Sequence, residues 1–147
     1  MVSVGGGGLI SGSLLARDLA GRDDLLVTGV QPENSAALYH VLHGVAMNDV
    51  VHLPTIADGL AGGGDEGAIT NEMVRAHGVP LVLVAERHIR AAVRECVDET
   101  ELVMEGSASA SYAAITENYI NDTTRRVGFI ACGRNIASDL LHTLLVE

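Results

Sequence analysis

Short apolar runs alternate with helical patterns of apolar and polar positions along most of the chain. Runs of strand length occupy 25–30, 80–84 and 126–131, of which 80–84 is the clearest, and a short strand is predicted at 1–4. Because strands that alternate with helices usually form a parallel sheet with helices packed against it, the pattern predicts the α/β class. The expected architecture is a mostly parallel sheet flanked by helices.

Helical patterns fill the stretches between these runs. Helices are predicted at 9–15, 35–43, 86–97 and 107–118, with one more between Asp65 and Gly78 and a closing helix from Ser138. Gly78 is the expected C-terminal stop of its helix. Three polar residues are the expected N-caps of their helices: Ser35, Asp65 and Ser138.

Apolar stripes predict which helix faces turn inward. In the helix at 86–97 the stripe consists of Ile89, Val93, Cys96 and Val97. The helix after Asp65 presents Ile69, Met73 and His77 on one face. The closing helix is expected to turn four leucines inward, namely Leu140, Leu141, Leu144 and Leu145.

Composition narrows the class of protein. With 147 residues, 48% of them hydrophobic, the chain is expected to form one domain over residues 1–147 with a real core. A net charge of −10 argues against binding to nucleic acid or to an anionic membrane. No apolar stretch reaches membrane-spanning length and no signal peptide is evident, so a cytoplasmic location is expected. Cys96 and Cys132 are then expected to be reduced thiols.

A run of four glycines, residues 5–8, lies between the first predicted strand and the first predicted helix. Glycines at such a junction let backbone N–H groups converge on an anion in front of the helix dipole. The spacing does not fit the dinucleotide fingerprint, and a Walker loop is excluded because all nine basic residues are arginine. From these residues alone, an anion cradle and a simple tight turn remain equally good interpretations.

Five segments in order resemble the threonine/serine dehydratase family, the fold-type II pyridoxal-phosphate enzymes that include serine racemase. They are the glycine run and its flanks at 4–12, the segment 29–39, the "TIADGLA" segment at 55–61, and the segments 102–108 and 130–136. The resemblance implies a truncated large domain that corresponds to the C-terminal half of a family member. The family's Ser-Phe-Lys and Ser-x-Gly-Asn-His segments, which belong to the other half, do not occur here.

The resemblance implies that pyridoxal 5'-phosphate is the cofactor and that this chain would hold it non-covalently. Backbone N–H groups of the loop would bind the cofactor phosphate, and the loop residues concerned are Gly5, Gly6, Gly7, Gly8 and Leu9. Side chains there would block close approach of the phosphate, and some positions are expected to need a positive φ.

Three further residues are implied as cofactor neighbours. Cys132 would face the pyridine nitrogen, where a neutral thiol favours β-elimination over transamination; the alternative is a small buried residue that ends a strand. Glu105 would lie near the ring or the cleft wall; the alternative is charge compensation at a helix N-terminus. Asn135 would cap or brace the loop beside the ring, while Asp58 is expected to organise a turn.

A metal site is not predicted. Many family members bind a divalent cation on the segment after the glycine loop, but the matching positions here are Gln31, Ser35 and Ala37. Loss of two carboxylates disfavours a hard-cation site. The six histidines show no ligand spacing either.

Activity of the isolated chain is the open question. The family's elimination needs a lysine for the Schiff base and the proton transfer, and these 147 residues contain none, so no catalytic residue is predicted. Three alternatives remain: a half-enzyme that binds pyridoxal phosphate or phosphate without dehydratase activity, a split enzyme completed by a lysine-bearing partner chain, and a non-catalytic binding or oligomerising module. Apolar surface left open by the missing half predicts a homo-oligomer.

Overall fold

Three parallel strands form the sheet of the computed structural model, which describes residues 1–62, 64–65, 67–120 and 126–147. They are β1 (Val2–Ser3), β2 (Gly29–Pro32) and β3 (Leu81–Val84), in the order β1-β2-β3. Val2 pairs with Gly29, which in turn pairs with Leu81. The predicted α/β fold with a parallel sheet flanked by helices is confirmed.

Helices precede or follow the strands as the alternation predicted. Their bounds are α1 (Gly8–Leu19), α2 (Ala37–Leu42), α3 (Ile69–Ala76), α4 (Glu86–Thr100), α5 (Gly106–Thr116) and α6 (Ser138–Val146). Two short 3-10 turns, Met47–Asp49 and Asp58–Leu60, interrupt the stretch between α2 and α3. None of the helices in the described residues is long and apolar enough to cross a bilayer.

The two faces of the sheet carry separate parts of the core. On one face, Val4 of the first connection packs with Ile10 and Leu14 of α1, and all three are almost completely buried. On the other face, Val30 and Val84 pack with α4 and the alanines of α5. Ser3 also turns toward α5, where its hydroxyl lies 2.7 Å from that of Ser111. Successive residues of a strand point to opposite faces, so β1 connects both halves of the core.

Helix α5 packs so closely that its first position must be small. A Cβ at Gly106 would overlap the backbone carbonyl of Ile56. Eight of the eleven residues of α5 are buried, most of them serine or alanine. This tight packing fixes the N-terminus of α5 beside the 3-10 turn at Asp58–Leu60.

The predicted strand at 126–131 is wrong. Residues 126–137 have no regular secondary structure. Two backbone bonds connect this segment to the start of β1: the Met1 ammonium donates to Gly128 O at 2.7 Å, and Ile130 N–H donates to Met1 O at 3.3 Å. Both bonds reach Met1, ahead of β1, so the segment does not continue a ladder of hydrogen bonds along Val2–Ser3.

The second predicted strand is displaced along the chain. The sequence indicated 25–30, but β2 begins at Gly29, and Leu25 and Leu26 are exposed. Gly29 is required there because a Cβ would overlap Leu81 and come within 2.9 Å of both Ile10 and Val4. Periodicity shows only that a run is apolar, whereas the position of β2 depends on this close approach of α1 and β3.

The predicted caps are wrong at three helix starts. The N-caps are Ala36, Ala68 and Ala137, and none of them makes a side-chain capping bond. The Ser35 hydroxyl lies 2.6 Å from Nδ1 of His52 and accepts the Gly62 N–H. Asp65 instead accepts the N–H of Gly67. The side chains of Ser35 and Asp65 thus bond to groups in loops instead of capping a helix. Short polar side chains can do either, so loop contacts compete with helix capping.

Predicted helix faces are partly confirmed. In α4, Ile89, Val93 and Cys96 are fully buried as expected. In α3 the buried apolar residue is Val74, whereas Ile69 is 70% exposed. In α6 only Leu144 is fully buried and Leu145 is exposed. The predicted stop of α3 is confirmed, since Gly78 has a φ of 57°.

Candidate functional site

The glycine run forms the start of α1. Gly7 is the N-cap, with a φ of 83°, and the first helical bond runs from Ser11 N–H to Gly7 O at 3.0 Å. The N–H groups of the three residues in between, Gly8, Leu9 and Ile10, therefore have no partner within the helix. The first turn of α1 contains no acidic residue, so the positive end of the helix dipole is not neutralised locally.

Gly8 and Leu9, two of these three residues, border a cleft of about 260 Å³. All five loop residues implied by the resemblance line it. The complete lining is Ser3, Gly5, Gly6, Gly7, Gly8, Leu9, Gly59, Leu60, Glu105, Ser107, Ala108, Cys132 and Gly133. Residues more than 120 positions apart in the sequence thus meet at one cleft.

Glycine is needed at two of the four loop positions for different reasons. Gly7 has a positive φ, and a Cβ there would lie 2.9 Å from Cβ of Thr70. A Cβ at Gly5 would lie 3.0 Å from the carbonyl oxygen of Gly59. At Gly6 and Gly8 a Cβ would meet nothing within 4 Å. Those two positions therefore leave space that an anion in the cleft can approach.

Thr70, at the start of α3, holds the loop in this shape. Its hydroxyl donates to Gly6 O at 2.9 Å, and its side chain packs against Gly7. The bond turns the Gly6 carbonyl toward α3 and fixes the peptide that follows it. Thr70 was not predicted from the sequence, because nothing in the local pattern connects it with a loop 64 residues away.

Glu105 organises the opposite wall of the cleft. Its backbone N–H donates to Gly133 O at 3.1 Å, and Oε2 of its carboxylate accepts the Asn135 N–H at 3.0 Å. Gly133 has a φ of 77° and leaves no room for a Cβ beside the carboxylate. Glu105 is the N-cap residue of α5 and also lines the cleft. The cleft wall and the helix N-terminus, which the sequence offered as alternative locations for Glu105, are therefore the same place.

Cys132 lies in this wall as a free, half-buried thiol. It belongs to an irregular segment, which does not fit the alternative of a buried residue at the end of a strand. Cys96 differs from it in being fully buried on α4, where burial raises the pKa of its thiol. Asn135 is exposed and lies outside the lining, and its recorded contact with the wall is through its backbone N–H.

Other lining residues were not predicted from the sequence. Ser3, Gly59, Leu60, Ser107 and Ala108 reach the cleft from β1, the 3-10 turn and α5. The role expected for Asp58 is confirmed, since its carboxylate accepts the Gly59 N–H at 2.8 Å and so shapes this turn. The resemblance had pointed to the "TIADGLA" segment as a whole without showing which of its residues face the site.

The positions where relatives were expected to bind a cation have structural roles here. The buried Gln31 side chain donates to Val4 O at 3.2 Å and accepts the Tyr39 N–H at 2.8 Å. It thereby ties β1 to α2. Among the residues that the structure describes, no three His, Cys, Asp or Glu side chains come together as a metal site would require.

The residues of the cleft fit a phosphorylated ligand. The cleft lining includes free N–H groups at the start of α1, open space at Gly6 and Gly8, and Ser107, whose buried hydroxyl has no partner among the described residues. Helix N-termini with glycine at the approach bind phosphate groups in many α/β proteins. Fold and site together define an α/β protein with a glycine loop and an open cleft at a strand–helix junction.

Comparison with known proteins gives the family. The family model described as "Pyridoxal-phosphate dependent enzyme" matches residues 1–133, and the chain belongs to this family. It is 30% identical over 145 residues to an L-threonine ammonia-lyase of Thermotoga maritima. Among solved structures, threonine deaminase isoform 2 of Solanum lycopersicum superimposes with a TM-score of 0.79 at 29% identity, and serine racemase of Dictyostelium discoideum with 0.76 at 27%.

The match covers nearly all of this chain but less than half of each relative. It spans 99% of the chain and 35% of the Thermotoga protein. For the Solanum structure the shares are 97% and 42%, and for the Dictyostelium structure 92% and 43%. The chain thus corresponds to one part of the fold-type II enzymes it resembles.

Proposed function

We propose that this chain forms the phosphate-binding side of a pyridoxal-phosphate site of the threonine/serine ammonia-lyase kind and binds the cofactor non-covalently. The observation that carries the proposal is the glycine loop, whose unpaired N–H groups border the cleft at the start of α1. Family membership supports the choice of pyridoxal phosphate over other phosphorylated ligands.

Each wall of the cleft has its own task in this proposal. The N–H groups from Gly6 to Leu9 hold the phosphate, and Thr70 fixes the peptide orientation that makes this possible. Glu105 holds the segment that carries Cys132. Cys132 then presents a thiol to the ring nitrogen. When bound, the cofactor supplies an electron sink for chemistry at an amino acid.

Dehydratase activity is not expected of these 147 residues by themselves. Covalent attachment of the cofactor and movement of the substrate proton need an amine, and the sequence contains no lysine. Binding without turnover is therefore the expected behaviour of the isolated chain. The split-enzyme alternative predicts that threonine dehydratase activity appears only when a lysine-bearing polypeptide is added.

Calorimetric titration with pyridoxal phosphate tests the proposal. The variant is Gly6→Asp, because an aspartate at this open position brings a negative charge to the loop without a steric clash. Gly12→Asp is the matched control, since Gly12 is an exposed residue of α1 outside the cleft lining. Saturable binding is expected for the native chain and the control, with a loss of at least tenfold in affinity for Gly6→Asp.

Two results would overturn this proposal. One is the absence of saturable binding by the folded native chain. The other is equal binding by the native chain and Gly6→Asp, since a phosphate held by the loop cannot tolerate a carboxylate beside it. The Gly6→Asp, Gly7→Asp double variant provides a second check, because Gly7 additionally requires a positive φ.

A second candidate function, self-association, is favoured by exposed apolar residues around a larger cleft. Leu25, Leu26, Val127 and Ile130 line this cleft of about 590 Å³ beside β1, and Leu26 is 64% exposed. Exposed apolar patches commonly become interfaces. Sedimentation of the native chain should show a dimer or larger species that Leu26→Glu weakens and Val51→Glu does not. A native chain that stays monomeric would exclude this candidate.

A further inference from the structure

Helix α5 also begins at the cleft, opposite the glycine loop. Glu105, Ser107 and Ala108, at the N-cap and in the first turn, are part of the cleft lining. The helix contains eleven residues, so its dipole is well developed. The first N–H groups of a helix have no acceptor within the helix, so caps or ligands satisfy them. The cleft is thus bordered by the N-termini of α1 and α5.

The Ser107 hydroxyl is the unexplained polar group of this wall. Ser107 is 6% exposed, and its Oγ has no hydrogen-bond partner among the described residues. A buried hydroxyl without a partner is destabilising relative to a satisfied one. Nearby, Ser3 and Ser111 avoid this cost by pairing at 2.7 Å. Because Ser107 also lines the cleft, a ligand there can supply the missing partner.

Gly59 connects this hydroxyl with the glycine loop. A Cβ at Gly59 would lie 2.9 Å from Oγ of Ser107, and the carbonyl oxygen of Gly59 is 3.0 Å from where a Cβ of Gly5 would be. Gly5, Gly59 and Ser107 therefore follow one another along the cleft lining. A serine hydroxyl moves between staggered rotamers, so rotation about χ1 can turn it from Gly59 into the open volume.

We propose that Ser107 is a second, side-chain ligand of the phosphate, which is held between the N-termini of α1 and α5. This inference rests on the function proposed above and adds a residue to the same site. The hydroxyl donates to a phosphate oxygen, while the loop N–H groups bind the others. The carboxylate of Glu105 lies on the same wall: its Oε2 accepts the Asn135 N–H, and its Oε1 lies 3.9 Å from where a Cβ of Gly59 would be. The phosphate is therefore expected between Ser107 and the loop N–H groups, on the side of the cleft where the helix N-termini offset this negative charge.

Ser107→Ala and Ser109→Ala form a matched pair for the test. Both hydroxyls are buried on α5 and have no partner among the described residues, but only Ser107 lines the cleft. Affinity is measured by calorimetry for three probes: pyridoxal phosphate, inorganic phosphate and unphosphorylated pyridoxal. Hydrogen bonds to charged groups contribute about 1.5–3 kcal/mol, so Ser107→Ala should weaken both phosphate-containing probes by about 13- to 160-fold. Its affinity for pyridoxal should stay within error of the native value, and its melting temperature should not fall, because the hydroxyl removed has no partner in the ligand-free chain.

The outcomes separate this inference from the proposed function. If the native chain binds pyridoxal phosphate through the loop and Ser107→Ala binds equally well, Ser107 is not a ligand, although the loop proposal stands. An equal loss in Ser107→Ala and Ser109→Ala would also overturn the inference, because it would indicate altered packing of α5. If the native chain binds none of the probes, both the loop proposal and this inference fail.

Discussion

The two walls of the cleft are built in different ways. The glycine-loop wall continues directly from β1 into α1, between Val4 and Ile10, which are both almost completely buried. The opposite wall at 132–135 is irregular and half-exposed, and its described contacts are mainly the bonds to Glu105. One wall is therefore shaped by the hydrophobic core, whereas the other depends on a few polar contacts.

This difference has a consequence for binding. A loop held by the core keeps its N–H groups in position before a ligand arrives, which lowers the entropic cost of binding. Local opening of a wall that is held by a few hydrogen bonds needs less free energy than unfolding of the whole domain. We therefore expect the phosphate contacts to be pre-formed, and the position of Cys132 to be the more easily altered part of the site.

The largest expected effect comes from a pair of isoleucines: Ile10, which is buried behind the glycine-loop wall, and Ile130, which lies two residues before the opposite wall. Ile10→Ala leaves a cavity between α1 and the sheet, and such substitutions cost about 2–5 kcal/mol. Ile130 is 36% exposed near the other wall, so Ile130→Ala should change the free energy of unfolding by about 1 kcal/mol or less. Urea denaturation measures both values. Similar losses in the two variants would contradict the difference between the walls.

Glu105→Ala should loosen the second wall while leaving the first intact. Removal of the carboxylate deprives the Asn135 N–H of its acceptor, so the segment that carries Cys132 should open more often. The measurement is the rate at which a thiol reagent modifies Cys132, which we expect to rise several-fold. Cys96 should stay silent in the folded chain, because it is buried and its thiol pKa is raised.

Two results serve as checks on the Glu105 experiment. Glu99→Ala, which removes an exposed carboxylate of α4, should leave the rate at Cys132 unchanged. A Glu105→Ala rate equal to that of the native chain would show that the wall does not depend on this carboxylate. Glu105→Gln should lie between the two, since its amide oxygen can still accept the Asn135 N–H.

The sequence predicted those parts of the molecule whose pattern is local. The run at 80–84 and the stripe of α4 each carry their own periodicity, and both were confirmed. The segment at 126–131 also contains an apolar run, but it is not a strand, and its backbone bonds in this region reach Met1 rather than Val2 or Ser3 of β1. Whether a strand forms depends on its neighbours, which composition does not show.

The candidate site shows the same limit. The glycine run was evident because its four members are adjacent in the sequence. Ser107 and Thr70 are serine and threonine residues without any distinctive context, and what singles them out is a contact or its absence in three dimensions. A missing hydrogen-bond partner is a property of the folded chain, so no sequence pattern reports it.

Thr70→Val should affect ligand binding more than stability. Valine keeps the size of the side chain that packs on Gly7 but cannot donate to Gly6 O. A hydrogen bond of this kind contributes about 0.5–1.5 kcal/mol, so phosphate affinity should fall by about 2- to 13-fold. Thr143→Val is the control, because Thr143 makes a similar bond to Asp139 O on α6, outside the cleft. Equal phosphate affinity in both variants would show that the loop does not need Thr70.

The smallest expected effect concerns the pair that joins the far end of α1 to α3. Nε2 of His77 lies 2.9 Å from Asp18, and the hydrogen bond to this carboxylate, together with that to Met73 O, raises the pKa of His77. The hydrogen bonds from His77 and Arg17 in turn lower the pKa of Asp18. Because the folded pKa of His77 is raised, its contribution to stability is complete below the ordinary value of about 6.5 and is lost as pH rises through the raised pKa.

The pH dependence of unfolding shows whether this pair supports the loop wall. His77→Ala should bring the urea midpoint closer to that of the native chain at pH 8.5 than at pH 6, because the native chain has already lost the charged pair at the higher pH. The exposed His142→Ala on α6 should show no such convergence. Parallel curves for His77→Ala and the native chain would mean that the ion pair is too exposed to matter. The rigidity of the loop wall would then depend on its buried core and Thr70 alone.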